Sequence, residues 1–69
     1  MPPKIRQLKA ELRDAGFRRL KDRGKGSHTV WQHPEHVETE VTLSGGDGAD
    51  AKPYQQRQVR EAIERVRNP

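Results

Sequence analysis

Val37-Glu38-Thr39-Glu40-Val41-Thr42-Leu43 is the stretch that decides the fold. Val37, Thr39, Val41 and Leu43 alternate with Glu38, Glu40 and Thr42, so a strand here has one apolar face and one wet face. That pattern belongs to an antiparallel sheet covered on one side only. Upstream, Ser27–His33 is rich in Val, Thr and Trp and reads as a second strand, with Pro34-Glu35-His36 as the turn between the two. A three-residue turn pairs His33 with Val37, Trp31 with Thr39 and Thr29 with Val41, which keeps the apolar faces aligned. Phe17–Arg23 is short and basic, with Leu20 as its only other apolar residue. It reads as an edge strand whose charges discourage further pairing.

A sheet that is apolar on one face needs a cover, and the two ends of the chain supply it. Ile5, Leu8, Leu12 and Ala15 recur at steps of three and four with charged residues between them, predicting an amphipathic helix over about 4–15. Pro2 and Pro3 bound its start and Gly16 ends it, with Phe17 placed to pack back on the apolar stripe. Pro53 stands where a helix can begin, and Val59, Ala62, Ile63 and Val66 fall at helical spacing, predicting a second helix over 53–67. Ser44-Gly45-Gly46-Asp47-Gly48-Ala49-Asp50 reads as a flexible loop by composition. The expected fold is therefore α+β, a single domain over 1–69 in the order α-β-β-β-α, with a three-stranded antiparallel sheet and both helices on one face.

Composition narrows the function classes. A chain of 69 residues with 29% apolar side chains builds only a thin core. It has no cysteine, hence neither a disulfide framework nor a thiolate metal site, which suits a reducing cytoplasm. No apolar run approaches the length of a signal sequence core or a membrane span. The net charge of +4 is unevenly spread: residues 1–25 carry nine Lys/Arg against Glu11, Asp14 and Asp22, whereas residues 26–51 carry five acids and no Lys/Arg. Residues 52–69 are again basic. Two cationic ends around an acidic middle suit a polyanion or an acidic partner protein, although arginines that merely solubilise a small domain give the same count.

Within the second strand, His28 and Trp31 are three residues apart and must point to opposite faces. Trp31 has the larger apolar area and belongs under the helices, so His28 faces solvent, expected opposite Thr42 and diagonal to Glu40. Gly24 and Gly26 allow close approach of a ligand to the backbone, and Lys21, Arg23 and Lys25 add charge for a phosphate. An ordinary glycine-rich turn with a surface histidine accounts for the same residues. His33 and His36 complete a His-x4-His-x2-His set that matches no usual zinc-ligand spacing, so no metal site is expected. Trp31 and Tyr54 read as packing residues before base-stacking ones.

Gly16-Phe17 followed by Lys25-Gly26-Ser27-His28-Thr29-Val30-Trp31-Gln32-His33-Pro34 resembles the HicA family, the RNA-cleaving toxins of toxin–antitoxin pairs, over nearly the whole chain. The resemblance implies a double-stranded-RNA-binding-domain-like fold, His28 as the catalytic histidine, Gly26 and Ser27 as its supporting turn, and a HicB-type antitoxin as partner. Many relatives continue the third strand into Pro-x-His; here it runs into Ser44-Gly45-Gly46. The expected activity is metal-independent cleavage of messenger RNA in the cytoplasm, with no cofactor. His28 would act as general base, and Lys25 or the Gly26 and Ser27 amides would bear the phosphorane charge. The alternatives are a non-catalytic RNA-binding module of the same fold and, further off, a DNA-binding or purely protein-binding domain.

Overall fold

The structure is a computed structural model that describes residues 1–21 and 26–68. Its elements are α1 (Ile5–Asp14), β1 (Arg18–Arg19), β2 (Thr29–His33), β3 (His36–Leu43) and α2 (Pro53–Arg67). The strands form one antiparallel sheet in the order β1-β2-β3. Ile5, Leu8 and Leu12 of α1, Val59 and Ala62 of α2, and Trp31, Val41 and Leu43 of the sheet meet in one core. Both helices therefore cover the same sheet face, as the alternation in β3 requires.

Both helices begin at a lysine, a residue with no short side-chain oxygen to cap the first turn. A glutamine three residues on compensates: Gln7 Oε1 accepts the Lys4 N–H at 2.6 Å and Gln55 Oε1 accepts the Lys52 N–H at 2.8 Å. The C-terminus of α1 is a Schellman motif, in which the Phe17 N–H reaches the Leu12 carbonyl at 2.9 Å and the Gly16 N–H reaches that of Arg13 at 3.0 Å. Gly16 takes φ +97° there and Phe17 folds back into the core.

The segment 44–50 is not the loose connection its glycines suggest. The Ala49 and Asp47 carbonyls accept the Ile5 and Arg6 N–H groups at 2.9 and 3.2 Å, so the loop satisfies donors that a helix start leaves unpaired. Asp50 pairs with Lys4, the Ala51 N–H donates to the Pro3 carbonyl, and buried Gln55 donates to Ser44. Composition indicates that such a segment can bend sharply; whether it is held depends on the helix ends it meets.

The β2–β3 register also departs from expectation. The turn is Pro34-Glu35, with His33 opposite His36, and the ladder then resumes at Gln32↔Glu40, Trp31↔Val41, Val30↔Thr42 and Thr29↔Leu43. Residues 37–39 bulge out, and the Gln32 amide donates to the Val37 carbonyl at 2.9 Å, holding the bulge. Val37 is consequently 58% exposed instead of facing the core. Relative to the expected pairing, the ladder from Gln32 to Thr29 has slipped by two, which keeps Trp31, Val41 and Leu43 on the core face, while Val30, of opposite parity, is buried as well. Thr39, Val41 and Leu43 are all buried.

Buried polar groups are paired. Trp31 Nε1 donates to Thr29 Oγ1 at 2.9 Å inside the core, and among the described residues no buried side-chain nitrogen or oxygen lacks a partner.

Candidate nucleic-acid interface

β1 and β2 form a hairpin whose far end carries the candidate site. Arg18 pairs with Gln32 and Arg19 with Trp31, and the Leu20 N–H continues the ladder to the Val30 carbonyl at 2.8 Å. That register brings Lys21 beside Thr29, one residue from His28. Gly26, Ser27, His28 and Lys21 are all exposed at this end. Gly26 adopts φ +59° with open space where a side chain would sit, so glycine serves the conformation of the turn and not a close packing need. Arg23, Lys25 and Gly24 fall outside the described residues.

His28 is solvent-facing, as expected, but it precedes β2 and does not oppose Thr42, which pairs with Val30. The two-residue slip of the ladder is the reason. Among the described residues no hydrogen bond fixes the His28 imidazole.

The other two histidines have a structural setting. The His33 ring lies edge-on to Phe17 with centroids 5.5 Å apart and beside His36 at 5.1 Å, and its Nδ1 accepts the Glu35 N–H at 3.1 Å. It also covers Gly16 so closely that a Cβ there would lie 2.9 Å from Nε2. Gly16-Phe17 and His33, distant in sequence, are thus parts of one packing unit at the opposite end of the hairpin from His28. His36 Nδ1 lies 3.9 Å from Glu38. No cluster of three or more His, Asp or Glu suited to a metal ion is present among the described residues. Of the two polar aromatics, Trp31 is 3% exposed and is a core residue, whereas Tyr54 is 45% exposed and does not pack as expected.

Sequence reading missed a cationic cleft along the other side of β1. Lys9 and Arg13, one turn apart on α1, join Arg18 and Arg19 around an open cleft of about 390 Å3 with Trp31 at its wall. Lys9 Nζ contacts Asp47 at 2.6 Å, and Arg13 lies over the Trp31 ring, 5.8 Å from its centroid. The hydrogen bond and charge of Lys9, with Arg6 and Arg19 further off, hold the Asp47 carboxyl below the usual carboxylate range. The i, i+4 spacing of Lys9 and Arg13 was the available signal. A second groove of about 530 Å3, between the helices over Leu8, Val59 and Ile63, includes no residue of the β1–β2 hairpin.

Comparison of the chain with protein-family models, with curated proteins and with solved structures finds no match in any of the three. No helix among the described residues is long and apolar enough to cross a membrane.

Proposed function

We propose that this protein is a messenger-RNA endonuclease of the HicA toxin type, built on a double-stranded-RNA-binding-domain-like fold and neutralised in the cytoplasm by a HicB-type antitoxin. The observation that carries the reading is an exposed imidazole, His28, next to a positive-φ glycine turn and Lys21 at the cationic end of a hairpin. Histidine is the side chain whose ordinary titration lies nearest neutral pH, so an accessible one serves as a proton acceptor without further activation.

In this mechanism His28 takes the proton from a ribose 2′-hydroxyl, or from a water, as the oxygen attacks the adjoining phosphorus, and the bond to the 5′-oxygen breaks with that oxygen taking a proton from solvent. General-base action of this kind contributes roughly 10²–10⁴-fold. The negative charge that develops on the phosphorane oxygens is met by Lys21, by the Gly26 and Ser27 amides, and by Arg23 and Lys25, their neighbours in sequence. Phosphate affinity and proton transfer then reside in different residues. The lack of any side-chain anchor on the His28 ring among the described residues favours, as the second reading, an RNA-binding module in which the basic surface acts alone.

The test is induced expression of His28→Ala, His33→Ala and His36→Ala in a bacterium lacking the antitoxin, with RNA cleavage followed on the purified chains and circular dichroism on each. Loss of toxicity and cleavage in a folded His28→Ala chain that still binds RNA is the expected result. Toxicity surviving in that variant overturns the nuclease and leaves the binding module. Reversal of Lys21, Arg23 and Lys25 to glutamate weakens RNA binding and flattens its salt dependence, by roughly 0.7 of slope for each phosphate ion pair removed on a single strand.

A further inference from the structure

The cleft between α1 and β1 holds four cations, Lys9, Arg13, Arg18 and Arg19, around one carboxylate, Asp47. Like charges gathered on one rim repel, and a surface of this kind is most stable with an anion in it. Asp47 partly meets that need. It binds Lys9 at 2.6 Å and lines the cleft while its own side chain remains 66% exposed, so the carboxylate is open to exchange with a solvent anion.

Two features suit a planar oxyanion, and a third, the position beside the His28 end, favours a nucleic-acid backbone over an acidic protein. The cations are mainly arginines, whose planar forks match phosphate oxygens. Arg13 is laid on the Trp31 ring, which orders the side chain before any ligand arrives. The cleft also adjoins the end of the hairpin that carries His28: Arg19 lines it, the Leu20 N–H carries the ladder one residue further, and Lys21 follows, at most about 7 Å of backbone from Arg19. A strand bound at Lys21 and His28 therefore extends along this edge.

We propose that the α1–β1 cleft is a second RNA phosphate site, flanking the one at His28, and that Asp47 occupies it in the free protein as an internal counter-ion that RNA displaces. This rests on the RNA-binding reading above. It adds a surface on the helix side of the sheet and gives the Lys9–Asp47 pair a role as competitor.

The experiment uses the full chain with His28→Ala, so that RNA is bound and not cut, and measures the affinity for a fluorescently labelled single-stranded RNA across a salt series. Arg13→Gln and Arg19→Glu are each expected to weaken binding and reduce the salt slope by roughly 0.7 for each phosphate ion pair removed. Asp47→Asn is expected to tighten binding severalfold and steepen the slope. Unchanged affinity and slope in Arg19→Glu, with binding abolished in Lys21→Glu, overturns the cleft and leaves the RNA reading standing. Absence of RNA binding by His28→Ala at every salt concentration overturns both. Weaker binding in folded Asp47→Asn overturns the counter-ion. Competition by polyglutamate as strong as by RNA of equal charge assigns the cleft to an acidic protein instead.

Discussion

Replacing Gly16 by alanine should cost this small domain a large share of its stability, through two separable effects. The first is conformational: Gly16 has φ +97°, a region in which an L side chain meets its own backbone, at a cost of roughly 1–2 kcal/mol. The second is a collision, because the new Cβ would lie 2.9 Å from His33 Nε2 and 3.3 Å from Cδ2. The ring cannot give way freely, since Phe17 packs on its edge and the Glu35 N–H donates to its Nδ1. Moving it sacrifices that hydrogen bond, about 1 kcal/mol. The sum, about 2–3 kcal/mol, compares with a total of roughly 3–10 kcal/mol for a chain of this length. In thermal denaturation followed by circular dichroism it corresponds to a fall in Tm on the order of 10–20 °C. A cycle with His33→Ala separates the parts: with the ring gone, Gly16→Ala should cost only the conformational share, leaving a coupling of about 1 kcal/mol. A Gly16→Ala chain melting within about 2 °C of the parent would be incompatible with both effects. An equal cost with and without His33 would eliminate the collision.

Thr29→Val keeps the shape of the side chain but removes the acceptor of the buried Trp31 N–H, so the urea midpoint should fall by the equivalent of about 1–3 kcal/mol with an unchanged m-value. Gln55→Leu leaves the Lys52 N–H and the Ser44 carbonyl without their partner; amide exchange should quicken in 44–50 and in the first turn of α2 ahead of the rest of the chain. Asp47 titrates lower in the folded chain than its ordinary 3.8, so its pairing stabilises the fold above that pH and is lost as pH falls through the lowered value. Tm measured against pH should therefore show parent above Asp47→Asn near neutrality and the two converging in strong acid, with the gap at neutral pH narrowing in high salt because the carboxylate is exposed.

The two helices and β3 were legible in the residue order because each is written in a local period, whereas β1, the pair Arg18–Arg19, carries none and is shorter than the Phe17–Arg23 expected. The stripe Ile5, Leu8, Leu12 and the spacing Val59, Ala62 set the two helices, and α2 runs over the 53–67 that Pro53 and the apolar spacing predict. Gly16-Phe17 marked the end of α1, and the alternation in β3 put both helices on one face. Of the site, the exposure of His28 was legible, because parity counted from Trp31 sends it to the opposite side.

What joins residues far apart in the chain came only with the folded arrangement. A slip of two in the β2–β3 ladder preserves parity, so no local pattern opposed the bulge that turned Val37 outward and moved His28 away from Thr42. The 44–50 loop is held by carbonyl-to-amide bonds to the start of α1, at the other side of the sheet in chain order, which its own glycines could not announce. The packing of His33 on Gly16 and the ion pair of Lys9 with Asp47 are likewise products of the fold. Periodicity sets which way a side chain points, but its neighbour across the gap is chosen by the lowest free energy of the assembled whole.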